Sequence, residues 1–127
     1  MEGVRQLEPT LSAEVNPKDE LQAEISRRNF VRAVMLAEQC QYPWEEIRHL
    51  QELALKQMAG EYRNAIALRN LAQEWGFSRA ELKDLLMKAV ADYEDGAERR
   101  RSVCYDTTTG KYLTFRQWVE QFLNMRR

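Results

Sequence analysis

The sequence predicts a mainly all-α fold: two stacked α-hairpins forming a four-helix unit, then a small C-terminal β-hairpin and a terminal helix. Three observations carry this expectation. Apolar residues recur at helical spacing through most of residues 17–95. Capping boxes mark helix starts at Ser78 and Thr114. An offset of 35 residues, Arg28 on Arg63, lays one helix pair upon another.

The first helix opens at "NPKDELQAEISRRNFVRAVMLAEQC". Asn16 can cap, Pro17 suits the first helical position, and Asp19 and Glu20 favour the positive end of the helix dipole. Leu21, Ile25, Val31, Val34, Met35 and Ala37 keep mostly to helical spacing, which predicts one continuous element. The second helix restarts at Pro43, with Ile47, Leu50, Ala54 and Met58 as its stripe and Gly60 as its stop. The third spans "EYRNAIALRNLAQEWG", with Ile66, Leu71 and Trp75 inward.

The fourth helix starts at Ser78, whose hydroxyl can accept from a backbone N–H while Glu81 reaches back. Leu82, Leu85, Leu86, Ala89, Val90 and Tyr93 then complete an apolar face, and Gly96 ends the helix. Beyond it, Val103–Asp106 and Lys111–Leu113 flank "TTTG", where Gly110 can take the positive φ of a hairpin loop. Thr114 with Gln117 starts the terminal helix, whose apolar face is Phe115, Trp118, Val119, Phe122 and Leu123. A lone two-stranded hairpin is marginal, so this tail is expected to dock. The expected organisation is an N-terminal arm over 1–16, a helical domain over 17–101, and a docked segment over 102–127.

The offset of 35 residues pairs Arg28, Asn29, Leu36, Ala37, Glu46 and Leu50 with identical residues. Val31/Ile66, Tyr42/Phe77, Ile47/Leu82 and Arg48/Lys83 are conservative pairs. A period near 35 is what helix–turn–helix repeats show, and it resembles that of tetratricopeptide repeats. The small and aromatic positions of that family do not line up here, so the family is not assigned. Chance matching of two amphipathic helix pairs is the competing explanation.

Composition excludes several classes. No apolar run approaches the roughly 20 residues of a membrane span. "MEGVRQLEPTLSAEVN" lacks the basic start and apolar stretch of a secretory signal, which points to the cytoplasm. Cys40 and Cys104 form no CxxC pair, and His49 is the single histidine, so neither a metal site nor a catalytic triad is predicted. No phosphate-binding glycine motif is present. Glu45 and Glu46 with His49 read as surface neighbours. Asp92, Glu94, Asp95 and Asp106 lack the spacing of a calcium loop. No catalytic residue and no cofactor are expected.

Charge is uneven. Residues 97–127 carry seven bases and three acids, so the first 96 hold −5 of the net −1. Such asymmetry marks either a solvated surface or a contact with an acidic partner.

The stretch "LAQEWGFSRAELKDLL" at 71–86 looks like the helix-turn-helix of bacterial regulators. In a frame starting at Leu68, Ala72 sits at the close approach, Gly76 takes the turn, and Leu82 and Leu85 are buried anchors. The resemblance implies a second helix that reads DNA, with Arg79, Lys83 and Lys88 as contacts and Arg99, Arg100 and Arg101 beside them. Its outward face is chemically poor for this task. Glu81 and Asp84 stand among the bases, and no Asn or Gln is present for adenine. The matching earlier hairpin has Gln41 for the glycine and a double acid, Glu45–Glu46. The sequence therefore favours a small non-enzymatic protein–protein interaction module, with Trp44, Trp118 and Phe122 as candidate docking aromatics. The expected partner is another protein, or a second copy in a homodimer, and no membrane. The alternative is a DNA-binding regulator using residues 68–88, so nucleic acid is the other partner class. A weaker alternative is an accessory subunit of an enzyme complex.

Overall fold

The computed structural model describes residues 16–95, 104–106 and 110–124. Among these the chain is mainly helical, with one short pair of strands. The helices are α1 (Pro17–Ser26), α2 (Phe30–Gln39), α3 (Trp44–Gly60), α4 (Ala65–Glu74), α5 (Arg79–Asp95) and α6 (Phe115–Asn124). Strands β1 (Cys104–Asp106) and β2 (Lys111–Leu113) pair antiparallel, with Tyr105 opposite Tyr112. The described residues group into two compact units that divide between Ala54 and Leu55, within α3.

In the first unit, Asn16 caps α1 by accepting from the Lys18 N–H at 2.9 Å. The single helix expected over residues 17–40 is broken at Arg27–Asn29, which is a correction. Arg28 turns left-handed at φ 64°. The Arg28 N–H then bonds Ile25 O, and the Asn29 N–H bonds Glu24 O, which is a Schellman ending. Helical periodicity could not reveal this stop, because the residue in the left-handed position is an arginine, not a glycine.

Side chains secure the corner. Asn29 does not cap α2; its Nδ2 donates instead to Glu24 Oε1 at 2.7 Å. Arg32 reaches back to Glu24 at 3.1 Å and Glu20 at 3.0 Å. Glu24 is nearly buried, and its pKa lies below the ordinary carboxylate value. The Asn29 hydrogen bond is the main cause, the Arg32 hydrogen bond and charge add to it, and burial opposes both. Leu21, Ala33, Val34, Ala37 and Ala54 are the most fully buried apolar residues of this unit.

The second unit has its own core. Leu55, Ala59, Leu68, Leu86 and Val90 meet Phe115, Val119 and Phe122 of α6 in one buried cluster. α6 therefore packs into the core of this unit. Ser78 and Glu81 form the expected reciprocal box at α5, at 3.1 and 2.8 Å. Thr114 and Gln117 do the same at α6, at 3.1 and 2.9 Å. Gly110 takes φ 70° before β2. The third helix begins later than expected, at Ala65, because Asn64 caps it by accepting from the Ala67 N–H. Ile66 is 68% exposed, not inward, while Leu71 and Trp75 pack against the core. Gly96 lies outside the described residues.

The two helix pairs repeat residue for residue. α2 and α4 have ten residues each, α3 and α5 seventeen, and every boundary recurs 35 positions later. The special backbone positions recur as well. Arg28 and Arg63 have φ 64° and 50°; Gln41 and Gly76 have φ 58° and 74°. The turn bonds match: Tyr42 N–H to Ala37 O at 3.0 Å, Phe77 N–H to Ala72 O at 2.9 Å. A chance likeness of amphipathic faces does not reproduce left-handed residues at the same offset, so the repeat extends to backbone conformation.

Candidate functional site

The α4–turn–α5 hairpin meets the terms of the helix-turn-helix frame locally. Ala72 is buried at the close approach, Gly76 is left-handed, and Leu85 is buried. Leu82, expected as a second anchor, is only partly buried against the core. It lines instead an open groove of about 290 Å³ between α4, the start of α5, and α6. The apolar floor comes from Ala72, Phe77, Leu82, Phe122 and Leu123, with Arg69 and Arg79 at the edges.

A second, more polar groove continues along the outer side of α5. There Lys83 and Met87 face Glu120 and Asn124 of α6. Arg79 and Leu123 border both grooves. They are joined directly, since the Arg79 guanidinium donates to the Leu123 carbonyl at 3.2 Å. This bond ties the first turn of α5 to Leu123 of α6. α6 thus lies beside the side chains that a recognition helix would present.

Of the candidate contacts, Arg79 and Lys83 come together on this surface. Lys88 is exposed farther along α5. Arg99, Arg100 and Arg101 lie outside the described residues. The candidate aromatics separate by role. Phe122 is buried and Trp118 stacks on it, ring centroids 5.7 Å apart and planes within 5°, so both belong to the seating of α6. Trp44, in the first unit, is 59% exposed, with the Arg48 guanidinium 5.5 Å from its ring centroid.

Sequence reasoning passed over Arg69, which stands over the Phe122 ring at 6.0 Å, and Phe77. Both need α6 in place before they line anything, so no local pattern marks them. The acids at the end of α5 are partly committed. Glu94 accepts both hydrogen bonds of a bidentate pair with Arg116, each at 2.8 Å, and this pairing raises the Arg116 pKa. Among the described residues no group of three His, Cys, Asp or Glu side chains is arranged for a metal ion. No described helix is long and apolar enough to cross a membrane.

Comparison of the chain with known protein families, with curated proteins and with solved structures finds no match.

Proposed function

We propose that the chain is a non-enzymatic helical module that binds another protein through the groove between α4, α5 and α6. The observation that carries this reading is the seating of α6. It converts the outer face of α5 from an isolated helix into one wall of an apolar groove, with Leu82 and Phe122 on its floor. A cleft near 290 Å³ lies at the bottom of the range for small-molecule pockets, and its sides are open. It suits one or two apolar side chains of a protein segment better than a cofactor.

The same feature weighs against reading DNA. A recognition helix must enter a major groove about 12 Å wide with its N-terminal side chains leading. Here α6 runs beside Arg79 and Lys83, and Glu120 adds negative charge to that side. The turn itself is no sign of DNA, because Gln41 adopts the same left-handed conformation in the first hairpin.

Site-specific photocrosslinking tests the proposal. A benzophenone residue replaces Gln73, an exposed groove residue, and in a control replaces Lys88. In native extract the Gln73 probe should give one discrete protein adduct that the Lys88 probe does not give. A nucleic-acid adduct from Gln73 would contradict the reading.

A further inference from the structure

We infer that the groove selects a partner segment that is both apolar and acidic: one or two large apolar side chains flanked by Asp or Glu. This inference rests on the protein-binding reading and names the chemistry of its partner.

Charge complementarity carries it. The chain as a whole has a net charge of −1, yet the groove edges reverse that balance. Arg69 and Arg79 border the apolar floor with no acid among the lining residues. Lys83 extends the basic edge along the neighbouring groove, where Glu120 is the one acidic lining residue. Three cations to one anion surround a floor of Phe77, Leu82 and Phe122.

The geometry favours carboxylates on the partner. Arg79 is exposed and spends a guanidinium N–H on Leu123 O, which anchors its fork at the rim. A guanidinium carries five N–H donors, so one so anchored can still take a carboxylate. Arg69 stands over the Phe122 ring, 6.0 Å from its centroid, and lines the same groove. Apolar insertion would supply affinity, while the flanking cations would set the partner's sign and speed its arrival. Nucleic acid satisfies the charge but leaves the apolar floor unfilled.

Selection from a random 12-residue peptide library displayed on phage, with the full chain as bait, tests this. Enriched sequences should combine Leu, Phe, Trp or Met with Asp or Glu. A synthetic peptide of the enriched sequence should bind in a fluorescence-polarisation titration. Arg79→Glu with Lys83→Glu should weaken it by about tenfold or more, and raising salt should weaken wild-type binding too. Lys83→Glu alone touches an exposed side chain and should show a smaller loss in the same direction, so a folding defect in the double variant does not obscure the result. Enriched peptides with no acidic bias, or with basic bias, would overturn the inference while leaving a protein-binding groove. Displacement of the bound peptide by random-sequence duplex DNA at equal charge would also overturn it. A library yielding no groove-binding peptide would contradict the protein-binding reading as well.

Discussion

Gln41 and Gly76 hold the same place in two copies of one turn. Each is left-handed, at φ 58° and 74°, and each N–H closes onto the carbonyl three residues back at 3.1 Å. One copy uses the residue suited to that conformation and the other does not. An L-residue pays roughly 1–2 kcal/mol for left-handed backbone, partly offset by the larger entropy that glycine loses on folding. Gln41→Gly should therefore stabilise the chain by about 0.5–1 kcal/mol, and Gly76→Gln should destabilise it by a similar amount. Urea midpoints of the two variants check this. Opposite signs are expected, and equal signs would mean that the turns are not equivalent.

The Glu24 corner gives a pH dependence. Its carboxyl pKa is lowered in the fold, chiefly by Asn29, from an ordinary value of 4.5. A depressed folded pKa stabilises above the unfolded value, and that stabilisation is lost as pH falls through the folded one. Glu24→Gln should be less stable than wild type at neutral pH. The gap should narrow as acid takes wild type below the ordinary carboxylate range. A gap independent of pH would show that the charge does not contribute.

Gly60 is required by a neighbour and not by a turn. A Cβ at this position would overlap the Tyr93 ring, which packs on Phe115 with centroids 4.7 Å apart. Alanine is the better helix former by about 1 kcal/mol, yet Gly60→Ala should lower stability by about 1–3 kcal/mol through overpacking. Tyr93→Phe removes the nearest clashing atom and should recover part of the loss in a double-mutant cycle. A stabilising Gly60→Ala would show that the ring moves freely.

Phe115 tests the docking of the terminal helix. It is fully buried, stands at the start of α6, and has the Arg63 guanidinium 4.8 Å from its ring centroid. Phe115→Ala should cost about 3–5 kcal/mol, in the range of large aromatic deletions from cores. A loss below about 1 kcal/mol would mean that α6 contributes little to the core.

What the sequence revealed and what it hid follow from the range of the interactions. The boxes at Ser78–Glu81 and Thr114–Gln117 close within three residues, so local pattern is enough to find them. The 35-residue offset survives because Asn29 and Asn64 precede helices of equal length. The break at Arg28 was not legible. It depends on Glu24, Asn29 and Arg32 meeting across the corner. The exposure of Ile66 and the groove beside Leu82 were also hidden, since both depend on where other helices pack. Arg79 was legible as a surface cation, but its bond to Leu123 spans 44 residues, and no local pattern marks that contact.

The choice between a protein-facing and a DNA-facing α5 is decided most directly by titrating duplex DNA with wild type and with the Arg79→Glu, Lys83→Glu double variant at two salt concentrations. With α6 beside those residues, wild type should show only weak, salt-sensitive, sequence-indifferent binding. Sequence-selective binding tighter than about 10⁻⁷ M at physiological salt, abolished by the double change, would contradict the protein-binding reading and establish α5 as a recognition helix.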